Sequence, residues 1–218
     1  MSSLSTPAST SAPEPTLTRL EPETAPLALV LMLHGGTQRS HDAVDGRSAS
    51  WRRMSAVQRA ITPDLHEHGV ATWLLRYRLR GWNGDGTSAQ DDARWALDQV
   101  REAHGEVPVV LLGHSMGART AAYVADDRSV QGVVGMAPWW QPDDPVTALA
   151  GRHLLAAHGR TDKITSAKMT RAFVRRAEPL AASVSFTDMG RVGHYMMRRI
   201  ATWNAFAADA VLDVARRA

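Results

Sequence analysis

The chain has 218 residues, 44% of them hydrophobic and 22% charged, with a formal charge of +3 and no cysteine. That length suits one substantial domain, and the absence of cysteine excludes disulfides, thiolate metal sites and a cysteine nucleophile. No stretch approaches the ~18–20 uncharged apolar residues of a membrane helix, and the arginines are interleaved with acids instead of forming the basic face that phosphate backbones require, so neither membrane insertion nor nucleic-acid binding is expected.

Residues 1–23, rich in Ser, Thr, Pro and Ala, read as a flexible tail with a short edge strand around 16–20, ahead of a domain spanning 24–218. The tail lacks the basic start and apolar stretch of a secretory signal, and with the cysteine-free composition this points to the cytoplasm. Short apolar runs then alternate with amphipathic patterns. Strands are expected at 27–33 (LALVLML), 70–75, 107–112 (VPVVLL), 130–136, 153–157 and, less distinctly, 183–187. Such near-continuous apolar runs suit parallel strands buried on both faces. Helices are expected at 51–68, where Trp51, Met54, Val57, Ile61 and Leu65 make one apolar stripe, and at 89–104, 116–125, 166–177 and 195–217. Strand–helix alternation of this kind predicts an α/β fold, a mostly parallel central sheet with helices on both faces. Only about sixteen residues (137–152) separate two sheet strands, too few for a separate cap domain. The polar loop 37–50 is the better candidate for a mobile flap.

Gly113-His114-Ser115-Met116-Gly117 fits the G-x-S-x-G pattern, with a buried strand running into it and an Ala-rich helix running out. A sharp strand-to-helix turn needs small residues on both sides and lifts the serine hydroxyl to a helix N-terminus. A serine that merely caps the helix would not require Gly117, so Ser115 reads as a nucleophile. His34-Gly35-Gly36 follows the first strong strand. Alone it would be a glycine turn, but acyl transfer needs two backbone N–H donors for the oxyanion. Those expected are Met116 N–H, after the nucleophile, and Gly36 N–H, with Thr37 the alternative.

The serine needs a base, and the base an orienting carboxylate. Among nine histidines, His194 lies in a loop after the last strand; His158, ending a strand, is its rival. Asp162 follows the penultimate strand and is the expected acid, ahead of Asp143, Asp144 and Asp188.

The order Ser115, Asp162, His194, each at the end of a successive part of the sheet, resembles the α/β-hydrolase superfamily from about residue 27 onward. The small size and missing cap are most similar to dienelactone-hydrolase-like proteins and small carboxylesterases. Dienelactone hydrolase itself departs in using cysteine. The resemblance implies a serine esterase working through an acyl-enzyme on a small-molecule substrate, with neither metal nor organic cofactor. A thioesterase or acyltransferase/cyclase would use the same triad, and a non-catalytic ligand-binding relative would keep only the pocket.

Ligands of α/β sheets bind at the C-terminal strand ends. Trp139, Trp140, Trp82 and Thr37 fall there and are expected to line an apolar or aromatic substrate pocket. Arg78 or Arg39 is placed to pair a substrate carboxylate.

Overall fold

The computed structural model describes residues 12–217. Its centre is a seven-stranded sheet made of β1 (Thr16–Leu20), β2 (Ala28–Leu33), β3 (Val70–Arg76), β4 (Val109–His114), β5 (Val130–Met136), β6 (His153–His158) and β7 (Ser183–Asp188). The spatial order is β1-β3-β2-β4-β5-β6-β7, parallel throughout except for β1, which pairs antiparallel with β3 through Thr16↔Arg76 to Leu20↔Thr72. The sheet thus begins inside the stretch read as a tail; residues 1–11 of that stretch lie outside the described residues.

Every residue of β2 and β4 is buried, as their unbroken apolar runs require in strands covered on both faces. Leu29, Leu31 and Leu33 face one core, shared with α2 (Thr87–His104), α3 (Met116–Val124) and α4 (Ala167–Ala177). Ala28, Val30 and Met32 face the other, shared with α1 (Ala49–Glu67) and α5 (Ile200–Ala215). Between β5 and β6 there is only one turn of 3-10 helix, Thr147–Leu149, so no cap domain covers the sheet.

Two expectations change. Helix α5 starts at Ile200, not residue 195. Its buried stripe of Trp203, Ala207, Val211 and Val214 does not extend back to Tyr195, and Met196 and Arg199 adopt positive φ (55° and 56°), which breaks the helix and leaves 195–199 as a loop. The segment 37–50 is no free flap, because a ladder of backbone bonds ties it to residues 78–83: Thr37 N–H to Arg80 O, Trp82 N–H to Thr37 O, Gly81 N–H to Ser40 O and Arg80 N–H to Asp42 O.

Candidate active site

Ser115 sits between β4 and α3 with φ 54° and ψ −117°, a conformation that costs about 1–3 kcal/mol and persists only where its surroundings enforce it. Here they do. Ser115 N–H donates to Met136 O, and Ser115 O accepts from Ala118 N–H and Trp139 N–H. The small residues are obligatory: a Cβ on Gly117 would lie 2.1 Å from Leu33 O, and one on Gly113 2.3 Å from Ala118 N.

The structure brings Ser115, His194 and Asp162 into one hydrogen-bonded chain. Ser115 Oγ donates to His194 Nε2 (3.0 Å), and His194 Nδ1–H donates to Asp162 Oδ2 (2.8 Å). This tautomer leaves Nε2 free to take the serine proton. Asp162 is held on both oxygens. Oδ1 accepts from the Ile164 and Thr165 N–H groups, and Oδ2 accepts also from Thr165 Oγ1 (2.9 Å) and His158 Nε2 (3.1 Å). Burial would raise its pKa, but the donors from His158, His194 and the loop backbone outweigh burial and hold it well below the usual carboxylate range.

His158, the rival base, therefore serves the acid instead. It is fully buried, and its Nδ1 accepts from Thr170 Oγ1 (2.8 Å) while Nε2–H faces Asp162. Of the rival acids, Asp143 borders the cleft beside Trp82 and Trp139, and the other two are engaged elsewhere. Asp144 is buried against Arg119 and Tyr123, and Asp188 pairs with Arg160 and Arg171. Sequence reasoning missed Thr165, whose hydroxyl lies within 3.1 Å of His194 Nδ1 as well; a threonine three residues beyond an expected acid is the signal that was present.

Of the expected oxyanion donors, Thr37 N–H is spent on Arg80 O. The Gly36 and Met116 N–H groups have no acceptor among the described residues. The Met116 side chain packs where a Cβ on Gly36 would stand: that atom would fall 2.4 Å from Arg80 O and 2.5 Å from Met116 Sδ. His34 orients this turn. Its Nε2 accepts from Tyr77 N–H (3.3 Å), so the proton is on Nδ1 and donates to Gly35 O (2.6 Å). Pinning that carbonyl turns the Gly36 N–H of the same peptide to the opposite side. Complete burial lowers the His34 pKa to about 4, keeping it neutral. His114 is likewise buried and neutral, its pKa lowered to about 3 mainly by desolvation, and its Nε2–H donates to His194 O (3.1 Å).

The cavity over Ser115, about 280 Å³, is walled by Gly35, Gly36, Ala49, Arg53, Tyr195 and Met197. Its surface is predominantly apolar, and Tyr195 and Met197 are 63% and 68% exposed at its mouth. None of the three expected tryptophans lines it. Trp140 is core: buried, stacked on Phe173 at 4.3 Å, with its indole N–H on Ala118 O. Trp82 is buried against Tyr123 and Trp139, and Arg119 lies over the Trp82 and Trp139 rings. Trp139 and Trp140 both border a neighbouring cleft that takes in Asp162 and Thr165, Trp82 and Trp139 border another, and Thr37 lines a third with Gly36, Arg80 and Tyr195. Arg78 is committed to Asp91 and Asp92, and Arg39 lies in the Trp82 cleft. Tyr195 and Met197 were hidden by the expectation that helix began at 195.

A family model described as alpha/beta hydrolase fold matches residues 28–179. No curated protein matches the sequence. Among solved structures, an alpha-beta serine hydrolase homologue from Coxiella burnetii superposes with TM-score 0.70 at 18% identity, covering 90% of this chain and 91% of that one. A lid-less a/b serine hydrolase from Xanthomonas campestris gives TM-score 0.68 at 19% identity over 93% and 88% of the two chains. Est1E from Butyrivibrio proteoclasticus, solved with ferulic acid bound, gives 0.69 at 14% identity over 92% and 95%. At these identities the likeness is one of fold.

Proposed function

The chain belongs to the alpha/beta hydrolase fold family, and from that premise we propose that it is a serine hydrolase cleaving a carboxylic ester, or a related acyl bond, of a small substrate with an apolar acyl group. The observation that carries this reading is the unbroken Ser115–His194–Asp162 hydrogen-bond chain beside two unspent N–H donors. His194 Nε2 takes the Ser115 proton as Oγ bonds to the acyl carbon, and Gly36 and Met116 N–H groups stabilise the resulting oxyanion. Collapse breaks the bond to the leaving group, which takes the proton from His194. Water, deprotonated by His194, then releases the acid and restores Ser115.

Asp162 keeps His194 in the productive tautomer and stabilises its charged form, and Thr165 and His158 act on Asp162 as positioning residues. The apolar cavity supports a substrate whose acyl part is hydrophobic. The cysteine-free composition supports a cytoplasmic location, and the catalytic unit starts with the edge strand β1 (Thr16–Leu20), ahead of the expected boundary at residue 24.

The test is turnover of p-nitrophenyl esters and matched acyl thioesters by wild type and Ser115→Ala. The expected outcome is ester or thioester hydrolysis lost by at least ~10³-fold in the variant. Equal rates in both proteins, or no turnover of any substrate by folded wild type, would refute the reading.

A further inference from the structure

The cavity over Ser115 does not end at its apolar mouth. Through Ala49, Arg53 and Met197 it continues into a groove of about 680 Å³ across the first turns of α1. That groove carries Arg47, Arg52, Arg53 and Arg59 and no acidic residue. None of the four forms an ion pair with a described carboxylate. Asp45 accepts the Arg47 backbone N–H at 3.0 Å and shares with Arg47 the neighbouring cleft by Gly36.

The arrangement opposes helix stability. The N-terminal end of a helix favours anions, yet the first turn of α1 contains no acid, and arginines cluster there. Arg53 is also fixed in place: its Nη2 donates to Met196 O at 2.6 Å, while its Nε is buried without a partner among the described residues. The indole N–H of Trp51, which lines the same groove, is likewise buried without an acceptor among the described residues.

We propose that this groove receives the anionic end of the substrate, so that the enzyme acts on an acyl ester or thioester whose alcohol or thiol part carries phosphate. The inference rests on the serine-hydrolase reading above. His194 must protonate the leaving group, and His194 lines the same cavity as Arg53 and Met197, the residues that this cavity shares with the groove. The acyl part stays in the apolar cavity. A single carboxylate would engage one guanidinium, whereas four guanidiniums without a carboxylate partner, two of them already held by Met196 O and Ser55 Oγ, match the charge and the many acceptors of a phosphorylated group. The step balances as an acyl transfer: the acyl carbon leaves the phosphorylated alcohol or thiol for Ser115 Oγ, and the Ser115 proton passes through His194 to that leaving group.

The test uses the full chain and the rate at which a neutral fluorophosphonate labels Ser115, in the presence of coenzyme A or of pantetheine, its phosphate-free portion. Coenzyme A is expected to slow labelling at concentrations at least about tenfold lower than pantetheine, and the advantage should shrink as salt rises from ~50 to ~500 mM. The double substitution Arg52→Gln/Arg59→Gln should raise the half-protecting concentration of coenzyme A about five- to tenfold, while Arg52→Lys/Arg59→Lys keeps most of the protection. Equal protection by the two compounds, protection by neither, or a Gln double variant protected like wild type would overturn the proposal. The labelling rate without ligand is read first. A labelled enzyme that fails the comparison sinks only this inference, whereas an unlabelled Ser115 sinks the underlying reading and this inference with it.

Discussion

Replacing Gly36 with alanine tests the oxyanion assignment at one atom. The new Cβ would stand 2.4 Å from Arg80 O and 2.5–2.6 Å from Met116 Sδ and Cε. The Met116 thioether can swing away, but Arg80 O cannot, because Thr37 N–H binds it at 3.0 Å and Arg80 N–H is itself tied to Asp42 O at 2.9 Å. Ordinary carbon–oxygen contact therefore requires Gly36 to withdraw by roughly 0.8 Å or more. An oxyanion donor works within about 2.7–3.1 Å of the developing charge, so such a shift removes it. Loss of one donor costs about 10²–10³ in kcat. Gly36→Ala is accordingly expected to lower kcat on a p-nitrophenyl ester by about that factor, with KM changed little, since the donor acts mainly in the transition state. Steady-state kinetics alongside circular dichroism makes the measurement. A well-folded variant that keeps more than half of wild-type kcat would show that the second donor lies elsewhere.

Asp162→Asn retains the acceptor for the Ile164 and Thr165 N–H groups but sets an NH₂ against His194 Nδ1–H and His158 Nε2–H; kcat should fall by about 10³–10⁴, and an isosteric variant with near-normal kcat would contradict the triad. Trp140→Ala should lower unfolding stability by about 3–5 kcal/mol in urea titrations while leaving the acyl cavity's preference unaltered; a shifted acyl-chain profile at unchanged stability would return Trp140 to the pocket. His34 gives a pH signature. Its pKa is about 4 in the fold against about 6.5 unfolded, so the unfolded state binds more protons between those values. Its contribution is intact above ~6.5 and declines as pH falls through that window, by about 2 kcal/mol at pH ~5. Wild type should therefore lose about 2 kcal/mol more than His34→Gln between pH ~7 and ~5 by chemical denaturation; parallel losses would mean that His34 is not held neutral.

The sheet was legible because its strands are covered on both faces: the runs that became β2, β4 and β5 are apolar almost without interruption, which is a period no helix of this fold shares. The elbow was legible for a related reason, since close backbone approach demands Gly113 and Gly117 at fixed offsets around Ser115. Which cleft each tryptophan would border was not legible, because a strand-end position says where a residue starts and not which way its ring turns. Trp140 turns inward onto Phe173, and Trp82 is trapped with Arg119 and Tyr123. Tyr195 and Met197 were missed because apolar residues next to a helical stripe look like its continuation until positive φ at Met196 and Arg199 ends it. Arg53 was indistinguishable in sequence from the other paired arginines, because only tertiary packing sets it against Met196 O and the cavity over the serine.

Intact-mass analysis after fluorophosphonate treatment, run on wild type and Ser115→Ala together, tests the central claim most directly. A single adduct on wild type, mapped to Ser115, with none on the variant, is the expected result. An unmodified, folded wild type, or equal adducts on both proteins, would contradict the assignment of Ser115 as the activated nucleophile.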